Sequence, residues 1–266
     1  MLENQKQMSD SHQHGHQIGD HLLIHRHTYI HDLPPHVKLV TAFGFLLIAV
    51  VTPAANYLSF IGYFTIVFAL ILSAKLPIIT VLKRMVVEVP FVIFAILMPF
   101  LGNGPYIEIA GLNISEPGFN AGLSILLKST LGVLISILIS STTNVRDILH
   151  GLAHLKVPAL LINIATFMLR YSAVITDELH RMKTARESRG FIAKGPRDWK
   201  IVAQVAGALF IRSYERGERV HLAMLSRGFT GQMPQVAHSK ATARNWMEVS
   251  VLPITALLVL LIGIYL

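Results

Sequence analysis

The placement of lysine and arginine limits the fold of this chain more tightly than its apolar residues do. Six apolar stretches run through it, at Val37–Val51, Tyr57–Ser73, Met85–Leu101, Ala121–Ser141, Val157–Ile175 and Val249–Leu266. Lys75, Lys83 and Arg84 follow the second stretch, whereas residues 52–56 and 102–120 carry no lysine or arginine. Basic connections stay on the cytoplasmic side of a membrane, so 74–84 is expected inside, and 52–56 and 102–120 outside. The amino terminus is then cytoplasmic, and four spans return the chain to the cytoplasm near residue 142. Beyond that point Arg146 and Lys156 precede the fifth stretch, and thirteen further cations, Arg181 to Arg244, follow it. Both flanks belong inside, so Val157–Ile175, which also holds Asn163, Thr166 and Arg170, is expected to lie at the inner membrane surface without crossing. Val249–Leu266 crosses last. The expected fold is all-α: a polytopic membrane protein of about five transmembrane helices with three cytoplasmic helices, the alternative being six spans.

Composition agrees. Of 266 residues, 53% are hydrophobic and 14% charged, against about 25% charged in a typical soluble domain. The net charge of +8 is accounted for by membrane topology and gives no reason to expect a nucleic-acid partner; the partner implied is lipid. The absence of cysteine excludes disulfides, thiolate metal sites and cysteine nucleophiles. Residues 1–36 hold eight of the thirteen histidines and lack the pattern of a cleavable secretory signal. His12, His14 and His16 have the spacing of a chelating tract on a flexible tail; the plainer reading is a solvated tail that meets metal only casually. The expected divisions are a histidine-rich cytoplasmic tail (1–36), a four-helix membrane region (37–141), cytoplasmic helices (142–247) and a last membrane helix (248–266).

Local signals place the helices. Pro35 suits the first residue of the first span. Glu88, Pro90 and Pro99 fall in the third, where neighbours must satisfy the carbonyls that proline frees. Lys128, inside the fourth, must face protein or snorkel, and Gly122, Ser124, Ser129, Gly132, Ser136 and Ser140 permit close helix packing. Asn144 caps a short amphipathic helix that Lys156-Val157-Pro158 ends. A long helix follows from Pro158 to about Arg189, with Gly190 just beyond it. Gly195-Pro196 marks a turn, and a third helix, opening at Pro196 or Arg197, ends at Arg227 before Gly228. Asp177 and Glu178 are spaced to pair with Arg181, and Glu215 with Arg219.

Both long helices end on the same words, Ser188-Arg189-Gly190-Phe191 and Ser226-Arg227-Gly228-Phe229. An arginine in a last turn followed by glycine is ordinary dipole compensation. Two matching ends suggest more, because a guanidinium at a helix tip suits bidentate pairing with a partner's carboxylate. Phe167-Met168-Leu169-Arg170-Tyr171 through Arg186-Glu187-Ser188-Arg189-Gly190 resembles the transmembrane T component of energy-coupling-factor (ECF) transporters, and so does Arg212-Ser213-Tyr214-Glu215-Arg216 through Ser226-Arg227-Gly228-Phe229. The likeness is closest to the cobalt/nickel-type subgroup. That family has Ala-Arg-Gly at both tips, where this chain has serine. Ahead of the first span it often has Leu-Asp-Pro-Arg-x-Lys-Leu, where this chain reads Leu33-Pro34-Pro35-His36-Val37-Lys38-Leu39.

The resemblance implies an ATP-driven importer. Two ABC-type ATPase subunits, which bind ATP and magnesium, would dock on Arg186, Ser188, Arg189 and Gly190 and on Ser226, Arg227 and Gly228. A membrane S component that captures cobalt, nickel or, alternatively, a vitamin would meet a surface including Pro158, Phe167, Arg170 and Tyr171. This chain would hold no cofactor and do no chemistry. Its own residues agree, since Gly190–Gly195 is followed by Pro196 where a phosphate loop needs lysine. A lipid-phosphate transferase would need clustered carboxylates for magnesium, and the sole adjacent acidic pair in 142–247 is Asp177-Glu178. A self-sufficient metal carrier would need ionisable residues within its spans, and only Glu88 and Lys128 qualify.

Overall fold

A computed structural model describes residues 28–53, 56–102, 104–109, 112–191, 198–231 and 242–265. The tract His12–His16 and the turn at Gly195-Pro196 fall outside these. The described chain is helical apart from one hairpin. Its elements are α1 (Tyr29–Asp32), α2 (Pro35–Val51), α3 (Tyr57–Ser73), α4 (Ile78–Arg84), a 3₁₀ turn (Met85–Glu88), α5 (Val89–Leu101), β1 (Tyr106–Ile109), β2 (Leu112–Ser115), α6 (Glu116–Thr142), α7 (Val145–His154), α8 (Ala159–Ser188), α9 (Trp199–Leu225) and α10 (Ala243–Tyr265). The strands pair antiparallel, Tyr106 opposite Ser115 and Ile109 opposite Leu112.

Among the described residues, four helices are long and apolar enough to cross a membrane: Ile78–Leu101, Glu116–Thr142, Ala159–Ser188 and Asn245–Ile264. α2 and α3 are apolar helices of 17 residues each, about 26 Å at 1.5 Å per residue. Several boundaries differ from the sequence reading, among them the start of α6 at Glu116 instead of Ala121. Helix resumes at Ile78, so Lys83 and Arg84 lie within the third crossing helix instead of in a basic loop. No breaker intervenes there, and Pro77 presets the entry. The last helix likewise begins at Ala243, ahead of its apolar run. The chain divides into two compact units: the described residues of Leu152–Val236 form one, and those of Leu22–Gly151 with Ala237–Leu266 form the other.

The core of the membrane unit is mainly aliphatic, with one aromatic cluster in it. Phe45 of α2 and Phe60 of α3 set their ring edges against Tyr63, with centroids 5.7 and 6.0 Å apart. All three are buried, and the Tyr63 hydroxyl reaches Thr52 Oγ1 at 3.0 Å. That bond satisfies a phenol that hydrocarbon could not. α10 packs on α2 and α3 through small residues. Gly44 faces Pro253, Gly62 faces Val259, and Gly263 faces Ser59, whose hydroxyl donates to Val259 O at 3.2 Å.

The proline problem in α5 is answered by neighbours. Pro90 has no N–H for Val86 O, and the 3₁₀ turn supplies the Val89 amide to that carbonyl instead. Pro99 leaves Ala95 O free. That carbonyl faces Gly122 of α6, where an added Cβ would lie only 2.4 Å from it; at Gly118 a Cβ would lie 2.4 Å from Met98 O. Gly118 and Gly122 thus form a small-xxx-small face on which α5 lies backbone to backbone. Gly132 has nothing within 4 Å of its missing side chain and makes no such contact.

Two lysines tie α2 to α6 in opposite senses. Lys128 Nζ of α6 donates to Val50 O at 2.7 Å, in the last turn of α2. Lys38 Nζ of α2 donates to Thr142 O at 3.3 Å, at the end of α6. Each cation meets the orphan carbonyls and negative dipole end of the other helix. Lys128 is therefore engaged by protein. Glu88, also buried, accepts from the hydroxyls of Ser129, at 3.3 Å, and Thr130.

The helix end at Lys156-Val157-Pro158 has a counterpart earlier in the chain. Lys75-Leu76-Pro77 and Lys156-Val157-Pro158 each end one helix and open the next, with the lysine at φ +52° and +62°. A side chain in the left-handed region costs about 1 kcal/mol relative to glycine. Lys156→Gly is expected to raise stability by about 0.5–1 kcal/mol, seen as a higher melting temperature of the detergent-solubilised chain.

Candidate functional site

The two arginine tips are built alike. At the end of α8 the Gly190 amide donates to Glu187 O at 2.9 Å and the Phe191 amide to Arg186 O at 3.2 Å. At the end of α9 the Gly228 amide donates to Leu225 O and the Phe229 amide to Met224 O, both at 3.0 Å. These paired bonds form the Schellman motif, which needs its glycine in the left-handed region. Gly190 and Gly228 have φ of +77° and +81°. The motif folds the chain back under the last turn and leaves the preceding arginine projecting. Ser188, Arg189, Ser226 and Arg227 are all exposed.

The serines cease to be anomalous. Ser188 Oγ donates to Thr184 O at 2.9 Å and Ser226 Oγ to Ala223 O at 3.0 Å. Each hydroxyl donates within its own helix. Arg186 behaves differently from its neighbour Arg189. Its guanidinium lies 5.8 Å from the Phe191 ring centroid, and its Nε is buried without a hydrogen-bond partner. It therefore braces the turn as a cation–π contact, where the second tip has Met224.

α8 and α9 run past one another in opposite directions. Glu178 of α8 forms an ion pair with Arg212 of α9, and Asn163 Nδ2 donates to Gly231 O at 2.9 Å. The α9 tip thus sits beside the beginning of α8. The α8 tip lies 26 residues further on, from Asn163 to Arg189, about 39 Å along the helix. The two arginines are consequently held at opposite ends of the pair. The expected pairs within each helix do not form: among the described residues, neither Asp177 nor Glu178 reaches Arg181, and Glu215 does not reach Arg219. Arg212, brought in by the crossing helix, takes Glu178 instead. The charge-bearing end of α8 keeps one pair within the helix, Lys183–Glu187 at 3.9 Å.

Between the helices lies an open, largely apolar groove of about 340 Å³, lined by Ile164, Phe167, Met168, Tyr171, Val174 and Ile175 of α8 and by Leu209, Ser213, Arg216 and Val220 of α9 among others. Phe167 and Tyr171 stack along it, 6.1 Å apart. Arg170 and Pro158 are exposed and lie outside it; Pro158 is the N-cap of α8. No residue of α8 or α9 is buried, so an apolar surface stands open on both. Among the described residues, no three of His, Asp and Glu gather as a metal site.

These features define a multi-pass helical membrane protein that carries a pair of long, uncovered helices with matched arginine tips. The chain belongs to the family described as CbiQ, cobalt transport protein, whose profile matches residues 26–237. It is 27% identical over 249 residues to the energy-coupling factor transporter transmembrane protein EcfT of Brevibacillus brevis, covering 89% of this chain and 93% of that one. It is 26% identical over 196 residues to the cobalt transport protein CbiQ of Rhodobacter capsulatus, covering 74% and 78%. It is also 25% identical over 258 residues to the uncharacterised protein MJ1571 of Methanocaldococcus jannaschii, covering 91% and 87%.

Proposed function

We propose that this chain is the energy-coupling transmembrane component of an ATP-driven ECF importer. Arg189 and Arg227 are the docking points of two ABC-type ATPase subunits, which hold ATP and magnesium. The observation that carries the reading is the pair of matching tips at opposite ends of α8 and α9. One interlocked element can then receive two copies of a similar groove and feel their relative motion. The apolar groove with Phe167 and Tyr171, flanked by Arg170 and Pro158, is the surface for a membrane S component that captures the cargo. A cobalt ion is the favoured cargo, because the family description and the Rhodobacter relative's name both specify cobalt; nickel shares that chemistry, and a vitamin is the alternative.

In this reading the amino terminus is cytoplasmic, and α8 does not cross the membrane although its length and composition would allow it. Its partner supports this. The apolar half of α8 lies along the part of α9 that carries Arg212, Arg216 and Arg219, and a crossing α8 would draw those charges to membrane depth at a cost of several kcal/mol.

Purification in mild detergent, with identification of bound partners and metal, tests the proposal. Two ATPase copies and a small membrane protein are expected to accompany the chain, and metal uptake by reconstituted vesicles is expected to require ATP. Metal uptake by the isolated chain without ATP would overturn it in favour of a self-sufficient carrier.

A further inference from the structure

The last turn of α6 has no basic residue of its own, yet two cations reach it from other helices. Arg84 donates to Ser141 Oγ. Lys38 Nζ donates to Thr142 O at 3.3 Å, Thr143 Oγ1 at 3.4 Å and His31 O at 3.0 Å. Lys38 is only 8% exposed. A buried ammonium is tolerated only when acceptors replace its water, and here Thr142 O and Thr143 Oγ1 lie at the junction of α6 and α7. The other end of that connection rests on the same segment. A Cβ on Gly151 of α7 would lie 3.0 Å from His36 N, 3.2 Å from Pro35 C and 3.2 Å from Leu39 Cδ1. Residues 142–151 are therefore seated at both ends on Pro35–Leu39, at the start of the first membrane helix.

We propose that Pro35–Leu39 is a rigid seat for the α6–α7 junction and that Lys38 is its positioning residue. It fixes how α7 leaves the membrane bundle, so that force arriving through the coupling helices is passed into α2 instead of being lost in a loose turn. This rests on the coupling role given above. Removing the amine leaves the Thr142 carbonyl and the Thr143 hydroxyl without this donor, with Arg84 alone remaining at the end of α6, while the ATPase docking points are untouched.

Two measurements decide it. In the reconstituted complex, Lys38→Met is expected to keep its ATPases and hydrolyse ATP, while uptake per ATP falls about tenfold, the scale of a lost charged hydrogen bond; Lys38→Arg is expected to restore most of it. An unchanged ratio in Lys38→Met overturns the proposal. Should Lys38→Met fail to accumulate, Gly151→Ala loosens the seat from its other side, and an unchanged ratio there overturns it equally. In the isolated chain, which has no cysteine, spin labels on Val50→Cys and Arg146→Cys report the joint directly. Val50 is exposed and stands about 18 Å up α2 from Lys38. Lys38→Met is expected to broaden the distance distribution and Lys38→Arg to leave it narrow; equal widths overturn the seat. This second measurement stands even if the wild-type chain proves to bind no ATPase, which would defeat the coupling role alone.

Discussion

Reversing both tip charges, Arg189→Glu with Arg227→Glu, is expected to strip the ATPase subunits from the purified complex and to abolish ATP-dependent uptake. Each arginine projects from a Schellman turn and is exposed, so its guanidinium is available to a partner's carboxylate. If the tips dock as proposed, replacing it by glutamate would remove a bidentate charged contact and put like charges together, a change of about 2–4 kcal/mol per site. Lost at both ends, this weakens docking by roughly a thousandfold or more. The chain itself should still accumulate in the membrane, since among the described residues neither arginine makes an ion pair. Counting co-purified ATPase per chain checks the outcome, with each single variant expected to fall between wild type and the double. Unchanged assembly and transport in the double variant would remove the tips from the mechanism. Gly190→Ala and Gly228→Ala offer a subtler comparison. Nothing lies within 4 Å of either missing side chain, so their effect, about 1 kcal/mol each, comes from the left-handed backbone alone.

The second large effect belongs to the membrane bundle. Gly122→Leu is expected to prevent the chain from accumulating in folded form, and Gly122→Ala to destabilise it by about 1–3 kcal/mol. An alanine methyl would meet the Ala95 carbonyl at 2.4 Å, and a backbone carbonyl cannot swing aside as a side chain can. The helices would have to separate, and separation would also expose the carbonyl that Pro99 leaves unbonded to hydrocarbon. Membrane abundance and the melting temperature in detergent measure the result. Gly132→Ala is the control and should be nearly silent, because its surroundings are empty.

What could be read from the chain was whatever is decided within a few residues. Pro35 opens α2 as expected, α3 runs from Tyr57 to Ser73, the Asn144 side chain accepts from the Arg146 amide at 3.1 Å, and the long helix reaches from Pro158 to the Arg189 cap. The glycines after both arginines announced their left-handed turns. Other features were present in the letters yet unread. Gly118-x-x-x-Gly122 straddles the helix start expected at Ala121, whereas Ser115, accepting from the Gly118 amide, starts the helix at Glu116. Lys156-Val157-Pro158 was legible as a helix end, but its likeness to Lys75-Leu76-Pro77 and the positive φ of both lysines were not, because lysine is a poor advertisement for positive φ.

The sequence by itself determined a many-helix membrane protein, several of its helix ends, and two identical arginine tips, because hydropathy, caps and turn residues act locally. Only the tertiary structure decided which charges meet. Glu178 found Arg212 instead of the arginine three residues along its own helix, Lys38 and Lys128 each found the far end of the other's helix, and Asn163 set the two tips at opposite ends of one antiparallel pair. A side chain pairs with whatever the crossing of two helices brings within about 3 Å, and that crossing is set by the packing of small and apolar residues far away in the chain.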